Sequence, residues 1–178
     1  MARGGGRWLG WARDPEQTHR IALLGRAPVF AGLPRRLLGR LGARFFEKTY
    51  GAGDVVFHEG DPGKALFVVL DGEVAIIRAG EEGEHVLRTL ASGACFGELA
   101  LIDEFPRSAT ARVTAPSRLL ILYKSDFDAL VEGNERIALV VMRNLLRTLA
   151  AYARRVPPSG AEPESLARPD GDGRGDRP

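Results

Sequence analysis

Between Phe45 and Tyr123 the chain repeats one unit: a short run rich in β-branched and aromatic residues, then a turn of glycine, aspartate or proline. The runs are FFEKTY, DVVFHE, ALFVVLD, EVAIIRA, HVLRTL, ATARVTA and RLLILY. Among the turns are Gly51-Ala52-Gly53-Asp54, Asp61-Pro62-Gly63, Asp71-Gly72 and Glu81-Glu82-Gly83. Strands this close together leave no room for the crossover helices of a parallel sheet. What remains is seven or eight short antiparallel strands closed into a barrel or jelly roll. Asp71-Gly72 between two apolar runs predicts a hairpin there.

Helical spacing flanks this block on both sides. Residues 19–27 and 34–43 place Ile21 and Leu24, then Leu37, Leu38 and Leu41, on helical faces, with Pro34 in the first turn of the second segment. After Tyr123, Ser125 is expected to cap the segment DFDALVEG, and a longer helix runs from about Asn134 to Arg155. That helix carries two apolar stripes: Leu139, Met142, Leu146, Leu149 and Ala153, and beside them Ala138, Val141, Leu145, Thr148 and Tyr152. The first has the alternating three-and-four spacing of a coiled-coil seam. One stripe suffices to cover a barrel, so the other is expected to be offered to a partner or a second copy of the chain. The architecture expected is mainly β with flanking helices.

At 178 residues the chain is expected to hold one domain. Residues 1–18, rich in Gly and Arg and containing Trp8 and Trp11, read as a flexible arm. Residues 157–178 are too polar and too rich in Pro and Gly to pack a core and read as a disordered tail, leaving 19–156 as the domain. A single cysteine, Cys95, excludes a disulfide framework, and three scattered histidines argue against a zinc site. No signal-peptide core and no membrane-length apolar run are present, so a cytoplasmic protein is expected. The net charge of +2 is spread thinly: four arginines oppose Asp14 and Glu16 in residues 1–20, and three oppose five acids in 157–178. Without a basic stripe, nucleic-acid binding has no electrostatic support.

One stretch breaks the strand-turn rhythm: Phe96-Gly97-Glu98-Leu99-Ala100-Leu101-Ile102, followed by Asp103-Glu104-Phe105-Pro106 and Arg107-Ser108-Ala109-Thr110. Gly97 admits an unusual backbone angle, and Pro106 limits any helix to about one turn. A single turn aims free N–H groups and a positive dipole end outward, which suits an anion. Arg107 would complete an anion site with its planar fork, and Glu98 suits a hydroxyl as acceptor. A phosphate and a sugar hydroxyl held together point to a small nucleotide.

These residues resemble the phosphate-binding cassette of the cyclic nucleotide-binding domain family, with the family's spacing from Glu98 to Arg107. The resemblance extends upstream through Tyr50-Gly51-Ala52-Gly53-Asp54, Glu59-Gly60-Asp61-Pro62-Gly63 and Leu70-Asp71-Gly72-Glu73-Val74, and covers roughly residues 20–155. It implies an antiparallel β-jelly-roll barrel with N-terminal helices and a C-terminal helix pair, the last helix acting as a lid. It implies that Arg107 clamps the cyclic phosphate and Glu98 accepts from the ribose 2′-hydroxyl. The backbone of Gly97, Leu99 and Ala100 would line the ribose-phosphate, and the N–H groups of Ser108 and Ala109 would complete a phosphate nest. Met142, Arg143, Leu145, Leu146 and Leu149 are the candidates for capping the base. The function implied is a cyclic nucleotide sensor, for cyclic AMP ahead of cyclic GMP, that signals through its C-terminal helix. It would be a binding module and not an enzyme, with no cofactor beyond that ligand. The alternatives are a transcription regulator of the catabolite-activator type lacking its own DNA-binding module, and a barrel kept only for protein interaction.

Overall fold

A computed structural model describes residues 15–154 apart from Glu82 and Glu104. Trp8, Trp11 and the segment after Val156 lie outside the described residues. Helices α1 (Pro15–Arg26) and α2 (Arg35–Gly42), joined through a 3-10 turn at Pro28–Phe30, lead into a six-stranded antiparallel sheet. Its strands are β1 (Phe46–Tyr50), β2 (Val55–Phe57), β3 (Ala65–Gly80), β4 (Gly83–Ala91), β5 (Cys95–Phe96) and β6 (Thr110–Tyr123). A second 3-10 turn, Glu98–Leu101, lies between β5 and β6, and α3 (Lys124–Glu132) and α4 (Glu135–Ala153) follow. The strand order β1-β6-β3-β4, with β2 on β6 and β5 on β3, is the expected jelly roll with flanking helices.

The hairpin expected at Asp71-Gly72 does not form. The runs on either side of it belong to one strand, β3, and both halves pair with β6, from Ala65 opposite Tyr123 to Ile77 opposite Thr110. The register slips on both sides of Asp71, where Gly72 takes φ 92° and the strand bends opposite Pro116 and Ser117. Ser117, 2% exposed, stitches this corner: its hydroxyl accepts from Glu73 N at 2.9 Å and donates to Ala115 O at 2.7 Å. Asp-Gly therefore serves a bulge in a strand that turns a corner of the barrel. The hairpin lies at the next turn, where Gly80 pairs with Gly83.

Continuous apolar runs in β3 and β6 arise because both faces of the sheet are covered there. Leu66, Val68 and Leu70 of β3, with Leu120 and Leu122 of β6, pack under the helices. Their alternates Phe67, Val69, Leu119 and Ile121 fill the barrel interior. Chain β6 enters α3 directly, Lys124 N donating to Lys64 O at 2.9 Å, so Ser125 lies within the first turn instead of capping the helix. Likewise Pro34 is the residue before α2, not part of it, and α1 begins at Pro15, ahead of the periodicity at 19.

Helix α4 is capped by Asn134, whose side chain accepts from Ile137 N. Only one stripe of α4 is covered: Val141 and Leu145 are fully buried, whereas Leu139 and Leu146 are 72% and 65% exposed. Between them Asn144, itself buried, donates to Val29 O at 3.1 Å and Ala31 O at 2.9 Å. This amide ties α4 to the first 3-10 turn.

Ser117→Ala would leave the Glu73 N–H at the barrel corner without its acceptor. Such an orphan costs about 1–3 kcal/mol, to be read as a lower urea midpoint at unchanged m-value. A midpoint equal to the parent's would mean that the hydroxyl does not hold the bend.

Candidate functional site

The stretch from Gly97 to Ala109 is braced on both sides. Upstream, β5 pairs with β3 at Phe96–Phe67, and Gly97 then takes φ 70°, ψ 19°, the left-handed geometry that turns the chain into the Glu98–Leu101 turn. Downstream, the turn Asp61-Pro62-Gly63 grips the other end. Arg107 N donates to Asp61 O at 2.8 Å, Gly60 N to Arg107 O at 2.9 Å and Gly63 N to Phe105 O at 3.2 Å. Gly63 has no room for a side chain, since a Cβ there would lie 2.6 Å from Phe105 O.

Arg107 points inward and is 9% exposed. Its guanidinium donates to Ala65 O at 2.8 Å and to Gly97 O at 3.3 Å, and stacks over the Phe57 ring at 4.2 Å. Its buried Nε finds no partner. Burial draws its pKa below the usual guanidinium value, and the charges of Asp61 and Glu98 oppose that shift. A cation held on neutral carbonyls, with one donor unspent, is suited to an incoming anion. Gly97 makes the arrangement possible, because a Cβ there would sit 2.5 Å from Arg107 Nη1.

Glu98, 6% exposed, accepts at Oε1 from the Tyr152 hydroxyl at 2.6 Å. Burial first, then the charge of Glu98 and this bond, push the Tyr152 phenol up to about 12. Tyr152 closes the end of α4 over a cavity of about 690 Å³. Every residue singled out from the sequence, Gly97, Glu98, Leu99, Ala100, Arg107, Ser108 and Ala109, lines that one cavity. Of the five residues considered for the cap, only Leu149 reaches it. The sequence reading missed Tyr152, one turn beyond Leu149 on the inward stripe, and it missed Phe57, Arg78, Leu87 and Arg88. Stripe membership was the available signal for Tyr152. The strand residues gave none, because only the barrel's closure brings them round.

Among the described residues no group of His, Cys, Asp and Glu could hold a metal ion. Cys95 is partly buried, and desolvation ahead of the nearby Glu98 charge pushes its thiol up to about 11. Among the described residues no helix is long and apolar enough to cross a membrane.

The family model described as "Cyclic nucleotide-binding domain" matches residues 47–134. The N-terminal domain of a transcriptional regulator from Streptomyces coelicolor A3(2) superimposes with a TM-score of 0.69 at 33% identity, over 76% of this chain and 97% of that one. This chain belongs to the cyclic nucleotide-binding domain family. It is 36% identical over 129 residues to the cyclic AMP receptor protein of Thermus thermophilus, covering 72% of this chain and 58% of that protein. The chain thus spans little more than half that relative's length. The regulatory domain of Toxoplasma gondii PKA, crystallised with cAMP, matches with a TM-score of 0.62 at 27% identity, over 66% of this chain and 45% of that one.

Gly97→Ala forces a side chain against Arg107 in a backbone conformation that alanine disfavours. The expected results are a lowered melting temperature and a change of fluorescence or NMR signals around Phe57 and Phe67; an unperturbed spectrum would refute the close packing. Cys95, with a thiol near 11, has only about a thousandth of its population as thiolate at pH 8. Alkylation by iodoacetamide at pH 8 should be at least tenfold slower in native protein than in urea.

Proposed function

We infer that the chain is a cyclic nucleotide sensor whose ligand is cyclic AMP, bound in the cavity beside Arg107 and signalled through α4. The observation that carries this is the unspent, buried Nε of Arg107 among groups that suit a phosphate. An exocyclic phosphate oxygen would satisfy it, and the ribose 2′-hydroxyl would donate to Glu98. Gly97, Leu99 and Ala100 would line the ribose-phosphate, with the Ser108 and Ala109 N–H groups on the phosphate. A volume of about 690 Å³ lies within the usual range for small-molecule sites. Cyclic AMP is favoured because the Thermus relative is named for it and the Toxoplasma domain was crystallised with it. Cyclic GMP is the competing ligand, because the Ser108 hydroxyl, which lines the cavity, would either meet the amino group of a syn guanine or bond the phosphate. The site is read as holding its ligand through groups the ligand already presents, without catalysis, in a cytoplasmic module of residues 19–156.

Output would run through Tyr152. The nucleotide and the Tyr152 hydroxyl draw on the same Glu98 carboxylate, so ligand occupancy alters how firmly the end of α4 is held. The ligand shifts that equilibrium only by its differential affinity for the two positions. The exposed stripe of Leu139, Met142, Leu146 and Leu149 would then offer a second copy of the chain, or an effector protein, a surface that depends on ligand.

Isothermal titration tests the clamp. Arg107→Leu should lose most affinity for cyclic AMP, by about 2–5 kcal/mol, and Glu98→Gln should lose less. Parental affinity in Arg107→Leu would overturn the assignment. For the output, light scattering with and without cyclic AMP should show self-association that Leu146→Glu abolishes. A monomer under every condition, with hydrogen exchange across residues 137–153 unchanged by ligand, would overturn this reading of α4.

A further inference from the structure

Arg78 stands on β3 just past the point where Ile77 pairs with Thr110, the first residue of β6. Its side chain crosses to the residue next to Arg107: Nε and Nη2 both donate to the Ser108 carbonyl oxygen, at 3.2 and 3.1 Å. The neighbouring groups are held as well. Arg107 N–H and C=O are taken by Asp61 and Gly60, and the Thr110 hydroxyl accepts from Glu59 N at 2.9 Å. The N–H groups of Ser108 and Ala109, by contrast, make no hydrogen bond among the described residues. Both residues line the cavity, as Arg78 does.

The Ser108 carbonyl and the Ala109 N–H are two ends of one peptide group. That group is planar and trans, so fixing the direction of the oxygen fixes the N–H in the opposite direction. A carbonyl that accepts two bonds from a cation is also polarised, which strengthens the donor at the other end. An exposed arginine that spends two donors on one backbone oxygen, with no carboxylate between them, is poorly accounted for by surface charge alone. Its location makes sense if the peptide beyond the oxygen has work to do.

We propose that Arg78 is a positioning residue for the anion site, its fork on the Ser108 carbonyl orienting and polarising the peptide that presents the Ala109 N–H to one phosphate oxygen. The proposal rests on the cyclic nucleotide reading above and assigns Arg78 no direct contact with the ligand. It separates two duties: Arg107 supplies the charge, and Arg78 tunes a neutral donor. It also sets a chemical requirement at residue 78. Lysine keeps the charge but cannot reproduce a planar two-pronged donation.

The test is a ligand-by-variant cycle on the full chain. Affinities for cyclic AMP and its Sp and Rp phosphorothioates, each with sulfur in place of a different exocyclic oxygen, are measured for the parent, Arg78→Gln and Arg78→Lys. Sulfur is a poor acceptor, so one diastereomer has already lost the bond from Ala109 N–H. Arg78→Gln should weaken cyclic AMP by roughly three- to tenfold, the scale of one net hydrogen bond. The same substitution should have little effect on one diastereomer and its full effect on the other, and Arg78→Lys should not restore the loss. Unchanged affinity in Arg78→Gln, equal losses for all three ligands, or full rescue by lysine would each overturn the proposal. Failure of the parent protein to bind any of the three ligands would instead overturn the nucleotide reading, and this inference with it.

Discussion

The pairing of β3 with β6 is the constraint on which everything else is hung. Where Ala65–Leu70 of β3 lies beside Leu119–Leu122 of β6 the strands are apolar on both faces, and each face has its own customer: helices on one side, barrel interior on the other. A slip of one residue would exchange Leu66, Val68 and Leu70 for Phe67 and Val69 and misfit both cores together. The register is therefore fixed twice over, and this allows the strands to bend sharply at Gly72 and Ser117 without losing their place. Ala65 O and Phe67, on the fixed part of β3, are the points against which Arg107 is seated.

Burying a guanidinium in a barrel is costly unless its donors are satisfied and its charge is answered. Here the groups in direct contact are neutral, two backbone carbonyls and the face of Phe57, while the charges of Asp61 and Glu98 act from further away. A carboxylate partner in direct contact would satisfy Arg107 more fully, but it would also compete with any anionic ligand. Carbonyl oxygens hold the side chain in place and leave its charge to act on whatever enters the cavity. Glu98, the other buried charge of the site, is engaged by an uncharged phenol. Both ionic groups are thus held by partners that do not neutralise them.

How much of this was legible in the sequence differed by kind of feature. The cassette was readable because its residues are contiguous and their chemistry is local: one glycine, one turn and one arginine after a proline. The strand block was readable from alternation and turns. Its topology was not, because Asp-Gly serves equally for a hairpin and for a corner, and only the bending of β6 opposite decides between them. Ser125 looked like a cap, yet the last ladder bond of β6 starts α3 one residue earlier. Arg78 comes to the cavity through strand pairing that no local pattern encodes, whereas Tyr152 comes through the docking of α4, which its place on the apolar stripe announced without saying what it would meet. The exposure of the Leu139 stripe was anticipated, since two adjacent stripes exceed what one barrel surface can cover.

The Asn144 amide gives α4 a fulcrum. It is fixed to the backbone of the first 3-10 turn at a point within the helix, with Tyr152 beyond it on one side and Leu139 on the other. At 1.5 Å per residue the arms are about 12 Å toward Tyr152 and about 7.5 Å toward Leu139. A tilt of about 10° about this pivot moves Tyr152 by roughly 2 Å, enough to break its bond to Glu98. The same tilt carries Leu139 roughly 1 Å in the opposite sense. Were α4 to tilt about this amide, it would act as a first-class lever with its longer arm at the cavity, and a displacement at Tyr152 would reach Leu139 reduced in size.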